Sequence, residues 1–274
     1  MGTSNWQHIS YCCDILFALA PRSILDVGIG YGRWGILARE MCDVWRQRVF
    51  PEQWQVEIIG VEAFERLVQP YHAVFYNEVL LGDGLAALDG MDRTFDLVIL
   101  GDVLEHFDRQ QAQELLTLAR QKAFYTLLCV PLGADWQQKD SYGNPYERHR
   151  SRWQHDDFAN LGPVCHRFFL DYIGRSYGVY LFASTHLDVR SYWRGRCRDL
   201  MVTACPEVLD IYPGGPPPKI AATLRRRLHR YSRLEALARK VYHGLRRLRE
   251  KASALYHAVV PVRRKGDNSR GQGG

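Results

Sequence analysis

No run of this chain approaches the roughly 20 consecutive apolar residues that a membrane-spanning helix needs. The start, Met1-Gly2-Thr3-Ser4-Asn5-Trp6, lacks the basic opening and apolar block of a secretory leader. A spanning or exported protein is therefore disfavoured, and the expected setting is cytoplasmic, with peripheral contact at a membrane left open. Cysteines are few and unpaired in pattern: seven, at 12, 13, 42, 129, 165, 197 and 205, with no Cys-x-x-Cys. An odd, scattered set reads as buried reduced thiols, with a structural zinc or a disulfide framework as the alternative. There is no internal repeat. Low apolar content is not among the absences: 46% hydrophobic and 12% aromatic over 274 residues exclude disorder throughout and supply one large core.

The net charge of +6 conceals two unlike parts. Residues 219–274 hold 16 Lys and Arg against 3 Asp and Glu, whereas residues 1–218 hold 20 against 27. The parts carry +13 and −7. Between them Pro213-Gly214-Gly215-Pro216-Pro217-Pro218 can continue neither a helix nor a central strand. We read a catalytic or binding domain over 1–212, a linker over 213–218, a basic amphipathic helical segment over 219–258 and a disordered tail over 259–274. The helical stripe runs through Leu224, Leu228, Tyr231, Leu234, Val241, Leu245, Leu248, Ala252 and Leu255. It suits self-association, packing on the acidic body or an anionic membrane surface, and nucleic acid less well.

Within the body, apolar runs alternate with helix-compatible stretches. Strands are expected at 23–27, 55–61, 77–81, 95–100 and 124–130, with helices over 5–19, 33–46, 64–75, 103–121 and near 155–161. Two last strands, about 164–170 and 177–184, are separated only by Gly174-Arg175-Ser176 and form a hairpin. Strands apolar throughout and alternating with helices belong to a parallel sheet covered on both faces. The fold class is α/β: a doubly wound, mostly parallel seven-stranded sheet ending in an antiparallel hairpin, with a basic helical C-terminal extension.

The first strand runs into Asp26-Val27-Gly28-Ile29-Gly30-Tyr31-Gly32, where ligands bind in such sheets. Gly30-Tyr31-Gly32-Arg33-Trp34-Gly35 matches the dinucleotide pattern G-x-G-x-x-G, a weak signal alone. An acid before the glycines repels a diphosphate and favours a cation. Glu62 after the second strand can accept ribose hydroxyls, which fits a nicotinamide dinucleotide equally well. Asp83, with Gly84, follows the third strand and Asp102 the fourth. A crevice lined by Asp26, Glu62, Asp83 and Asp102 suits a nucleoside bearing positive charge and no phosphate.

With Ile24 to Gly32, Gly60-Val61-Glu62, Gly82-Asp83-Gly84 and Phe95 to His106, residues 24–184 resemble the class I S-adenosylmethionine-dependent methyltransferases. The resemblance implies that the loop from Asp26 through Gly28, Gly30 and Gly32 holds the methionine part of S-adenosylmethionine. It places Glu62 on the ribose, and Asp83 with Gly84 and Leu85 around the adenine. Residues 42–55 make the spacing from Gly28 to Glu62 wider than the family's usual one. A nicotinamide-dependent oxidoreductase and a non-catalytic module of the same fold remain the alternatives.

Two histidines are candidate general bases. His106 closes Asp102-Val103-Leu104-Glu105-His106, whose Asp-x-x-Glu also reads as a helix capping box with Asp102 at the N-cap. His149 stands in Glu147-x-His149-x-Ser151-x-Trp153, similar to a segment that family members fold over the active site. Asp102, Glu105, His106 and His149 together resemble the Glu-x-x-Glu-His plus later His that binds a divalent ion in ubiquinone-biosynthesis and small-RNA 3′-end methyltransferases, with Asp in place of the first Glu. No Asn/Asp-Pro-Pro-Tyr/Phe follows the fourth strand, which argues against a base-amine acceptor and leaves a small-molecule or glycan hydroxyl.

Overall fold

The computed structural model describes residues 5–194 and Ile211. Among these, seven strands form one sheet: β1 (Ser23–Val27), β2 (Glu57–Glu62), β3 (Glu78–Leu81), β4 (Phe95–Gly101), β5 (Ala123–Pro131), β6 (Cys165–Leu170) and β7 (Ser176–Ala183). Their order is β3-β2-β1-β4-β5-β7-β6. The pairs among β1 to β5 are parallel, and β7 runs antiparallel to both β5 and β6. The expected doubly wound sheet with its terminal hairpin is the one observed.

The strands are apolar throughout because alternate residues serve two cores. Ile24, Ile58, Leu97, Ile99, Leu127 and Leu181 belong to one; Leu25, Ile59, Val98, Leu100, Leu128 and Phe182 belong to the other. The first core is covered by α1 (Ile9–Leu19) and α2 (Arg33–Cys42), through Tyr11, Cys12, Ile15, Leu16, Trp34 and Ala38. The second is covered by α5 (Arg109–Lys122), through Ala112, Leu115, Leu116 and Ala119, and by Leu88 and Phe158. The shorter helices are α3 (His72–Phe75), α4 (Gly84–Gly90), α6 (His155–Ala159) and α7 (Val189–Trp193).

Several expected helices are shorter than the pattern implied. The stretch 64–75 is a 3-10 turn, Glu65–Leu67, then α3, with Pro70 between them. The stretch 33–46 ends as α2 at Cys42 and continues as a 3-10 turn. The stretch 103–121 opens with a 3-10 turn, Leu104–His106, and its α-helix starts only at Arg109. Its N-cap is Asp108, whose Oδ1 accepts the Gln111 N–H at 3.0 Å. The expected capping box at Asp102 is thus corrected: Asp102, at φ +58°, precedes only the 3-10 turn, and its Oδ1 accepts from the Tyr177 hydroxyl. Helix α4 went unexpected because it is brief and sits between glycines.

The wide segment 42–55 is held by one buried acid. Asp43 accepts from Arg39 Nη1 at 3.0 Å, Arg48 Nε at 2.7 Å and the Gln55 N–H at 2.9 Å. Arg39 reaches on to the Phe75 carbonyl and Asn77 Oδ1, so the pair joins α2 to the approach to β3. The linker 213–218, the basic segment 219–258 and the tail 259–274 lie outside the described residues. Among the described residues no helix is long and apolar enough to cross a membrane.

Candidate active site

In this strand order the chain leaves β1 toward β2 and later returns to β4 on β1's other side. The carboxyl ends of β1 and β4 therefore diverge and leave a crevice. A cavity of about 210 Å³ occupies it. Its lining includes Gly28 and Gly30 after β1, Glu62 at the end of β2, Gly82, Asp83 and Gly84 after β3, and Gly101 and Asp102 after β4. Glycine is demanded at two of these places. Gly28 has φ +73°, and a Cβ there would lie 2.7 Å from Val103 Cγ2; at Gly101 it would lie 2.1 Å from Trp34 Nε1.

The hydrogen bonds of the glycine loop decide what it can hold. Gly28 N–H and Ile29 N–H both donate to the Val61 carbonyl, at 2.8 and 3.1 Å, and Gly32 N–H donates to the Ile29 carbonyl at 2.7 Å. Gly30 N–H donates to Glu62 Oε2 at 2.9 Å, while Phe64 N–H donates to Oε1 at 2.9 Å. Four amides of the kind that grip phosphate elsewhere are thus engaged within the protein, one of them by a carboxylate. Burial raises the Glu62 carboxyl above its usual range, and the backbone N–H bonds pull it back.

Asp83 faces the same cavity and caps α4, its Oδ1 accepting from Leu85 and Ala86 N–H at 2.9 and 3.0 Å. Asp102 is fixed from two sides: its N–H donates to the Cys129 carbonyl at 3.0 Å, and its Oδ1 accepts from the Tyr177 hydroxyl. A non-glycine residue held at φ +58° on a cavity wall is backbone strain placed at a candidate site.

Two expected cofactor contacts do not face the cavity. Asp26 shares its strand face with Ile24, because side chains alternate, and so it turns toward the α1–α2 layer. It is fully buried, and its Oδ2 accepts from the Tyr76 hydroxyl at 2.6 Å. The expected ring of four acids is corrected to Glu62, Asp83 and Asp102, joined by Glu147 from the loop after β5. Gly32 lies outside the lining as well; it caps α2 with φ +79°, packed against His72 and Tyr76.

The segment after β5 does fold over the rim. Arg150 and Ser151 N–H both donate to the Glu105 carbonyl, and Ser151 Oγ donates to the Leu104 carbonyl. This brings His149 to His106, with ring centroids 5.1 Å apart. His149 Nδ1 lies 2.9 Å from the Trp136 carbonyl and His106 Nδ1 lies 3.3 Å from the Arg148 carbonyl. A carbonyl only accepts, so each Nδ1 carries the hydrogen and each Nε2 keeps a lone pair. Burial lowers both imidazoles, His106 to about 4 with His149 adding to the fall, so both are neutral at pH 7. Glu105 is buried, its Oε2 has no partner among the described residues, and burial with the nearby Asp102 raises its carboxyl well above the usual range. Glu105, His106 and His149 offer ligand atoms within 4.8 Å of one another. His106 lines the cavity; His149 and Glu105 stand just outside its lining.

Arg33, Trp34, Phe107, Gln111, Tyr146 and Arg150 also line the cavity, and none is among the expected site residues. Arg33 and Trp34 follow the glycine loop directly and were within reach of the motif. Phe107 and Gln111 were not, because the break at 102–108 that aims them inward has no pattern of its own.

No family model matches the sequence, and no curated protein matches it. Solved structures with a similar fold include a SAM dependent methyltransferase from Archaeoglobus fulgidus, 18% identical over 61% of this chain and 88% of that one, at a TM-score of 0.44. Another is the 1,6-didemethyltoxoflavin-N1-methyltransferase of Burkholderia thailandensis with S-adenosylhomocysteine bound, 16% identical over 65% and 79%, at 0.46. A third is the N-terminal domain of EvdMO1, with S-adenosylhomocysteine and D-fucose, 16% identical over 66% and 84%, at 0.44.

Proposed function

We propose that the chain transfers a methyl group from S-adenosylmethionine to a hydroxyl of a small-molecule or glycan acceptor. The observation that carries this is the Gly30 N–H bound by the Glu62 carboxylate. A carboxylate holds one loop amide that would otherwise be free for a diphosphate, and the neighbouring loop amides are already engaged. The lining adds Asp83, Asp102 and Glu147 against two guanidiniums, Arg33 and Arg150, an acidic excess that favours a cationic nucleoside.

When bound, S-adenosylmethionine would supply an electrophilic methyl carbon on a sulfonium for in-line transfer to the acceptor oxygen. Glu62 keeps lone pairs for the ribose hydroxyls, and Asp83 and Gly84 flank the base. The backbone at Gly28 and Gly30, with Asp102, all in the lining, would hold the amino-acid end. His149, whose Nδ1 is held by the Trp136 carbonyl, takes the acceptor's proton at Nε2, with the His106 ring beside it. The exposed ring of Tyr146 gives the acceptor a surface to lie on.

A second reading of the same pair is favoured by its convergence with Glu105. One carboxylate and two imidazoles, each oriented by a carbonyl, suit a borderline divalent cation, which would supply Lewis acidity toward the acceptor oxygen. The histidines would then orient rather than accept. Chelation separates the readings: turnover that survives EDTA leaves the pair as bases, and turnover lost to EDTA and restored by a divalent ion makes them ligands.

Calorimetry with S-adenosylhomocysteine and NADH, side by side, tests the cofactor. Binding of the first alone is expected, weakened at least about tenfold in Glu62→Gln, where one charge-assisted bond is lost. Binding of NADH alone would overturn the proposal.

A further inference from the structure

Behind the Asp102 wall of the cavity lies a second cluster that the reaction does not use. His8 caps α1, Cys12 follows one turn later on the same helix, and Cys129 is near the end of β5. All three are fully buried, and their ligand atoms lie within 4.8 Å of one another. The His8 ring is enclosed by Trp34, Phe169 and Tyr177, stacked on the last at 4.6 Å. Neither of its nitrogens has a hydrogen-bond partner among the described residues. Stacking accounts for the faces of the ring and leaves its two in-plane polar atoms unanswered, which is costly in an interior.

The sulfurs give the second observation. Cys12 Sγ and Cys129 Sγ are 3.7 Å apart. Two thiolates bound to one tetrahedral zinc ion, at its usual bond length, stand about 3.8 Å apart. A disulfide needs roughly 2.05 Å. A thiol–thiol hydrogen bond also spans the observed distance, but it does nothing for His8.

We propose that His8, Cys12 and Cys129 bind one zinc ion. The donor set is one imidazole and two sulfurs, which a borderline-soft ion prefers and a hard oxygen-seeking ion does not. Zinc carries two positive charges and the two thiolates cancel them, so the filled site adds no net charge to an apolar interior. Loading forms two zinc–sulfur bonds and one zinc–nitrogen bond, releases the two thiol protons to solvent and changes no oxidation state. A water completes the coordination. The ion ties α1 to β5 where the Cys129 carbonyl holds the Asp102 N–H, and Tyr177, stacked on His8, holds the Asp102 carboxylate. Filling the site therefore braces the cavity wall from behind.

The test uses the full chain, stripped of metal under reducing conditions and titrated with cobalt(II), then zinc. One equivalent of cobalt is expected to give near-ultraviolet sulfur-to-cobalt charge transfer that zinc abolishes. The sulfur band separates this site from Glu105, His106 and His149, which offer no sulfur. Cys12→Ser and Cys129→Ser should each remove the band, and His8→Leu should weaken zinc binding at least about tenfold, the loss of one directed ligand. Should a variant not fold, zinc-edge X-ray absorption on the wild type decides: sulfur neighbours are expected, and a shell of nitrogen and oxygen alone overturns the site. So does a band that survives both serine variants, or loss of two hydrogens by mass under mild oxidant with no metal uptake.

Discussion

Asp26 shows how one residue's surroundings override its motif. Burial raises its carboxyl to about 7, Tyr76's hydrogen bond lowering it and Glu62's charge adding to the rise. In the unfolded chain it titrates near 4. Between those values the folded state keeps a proton that the unfolded state has lost, so stability falls as pH climbs from about 4 to about 7 and then levels. Asp26→Asn, which can still accept from Tyr76, removes that slope. Urea unfolding at about pH 5 and about pH 8 should show the wild type losing roughly 2 kcal/mol more than the variant, by the linkage of one buried carboxyl. Parallel slopes would mean that Asp26 ionises freely. At His149 the expectation concerns chemistry instead. His149→Ala should cut methyl transfer about a hundredfold, the lower end of general-base contributions, while S-adenosylhomocysteine affinity stays unchanged. Transfer is read as the mass gain of one CH₂ on an acceptor pool; a change in affinity without a change in turnover would move His149 out of the reaction.

At the scale of elements, spacing located the strands better than the helices. A strand buried on both faces is a short apolar block, and β1, β2, β4 and β5 each stand out as one. The helices were overextended because an amphipathic pattern continues through 3-10 turns and breaks that it cannot register. The capping box at Asp102 and Glu105 was the clearest failure, since Asp108, six residues on, takes the role. The widened segment 42–55 was legible as a departure, but not the device that holds it. Asp43 sits between Arg39 and Arg48 with no exposure of its own side chain, and Arg39 is nearly as buried. Asp43→Asn leaves a buried guanidinium without its counter-charge and should cost about 3 kcal/mol in urea unfolding. A loss under about 0.5 kcal/mol, the size of an exposed pair's contribution, would show that water reaches Arg39 there.

For the whole molecule the question is whether the basic third of its charge matters to the site. Among the described residues, those that line the cavity fall between Val27 and Arg150. A chain ending at Pro218 should therefore keep the S-adenosylhomocysteine affinity of the full protein within about twofold, well under 1 kcal/mol. It should also lose retention on a cation exchanger, because its net charge falls from +6 to −7. A tenfold loss of affinity would assign the basic segment a part in the site.

Composition and periodicity alone determined the α/β class, five parallel strands, the terminal hairpin and the glycine loop, because each is written in contiguous residues. They also placed Glu62, Asp83 and Asp102 beside that loop, since all three end strands of one sheet. Which acids face the cavity was decided only in three dimensions: strand alternation turns Asp26 inward, and the loop after β5 delivers Glu147. The meeting of His106 with His149, and of the His8–Cys12 turn with Cys129, likewise joins residues more than 40 and more than 110 positions apart. Local patterns report only their near neighbours along the chain; contacts of that separation exist because the sheet stacks its strands out of sequence order.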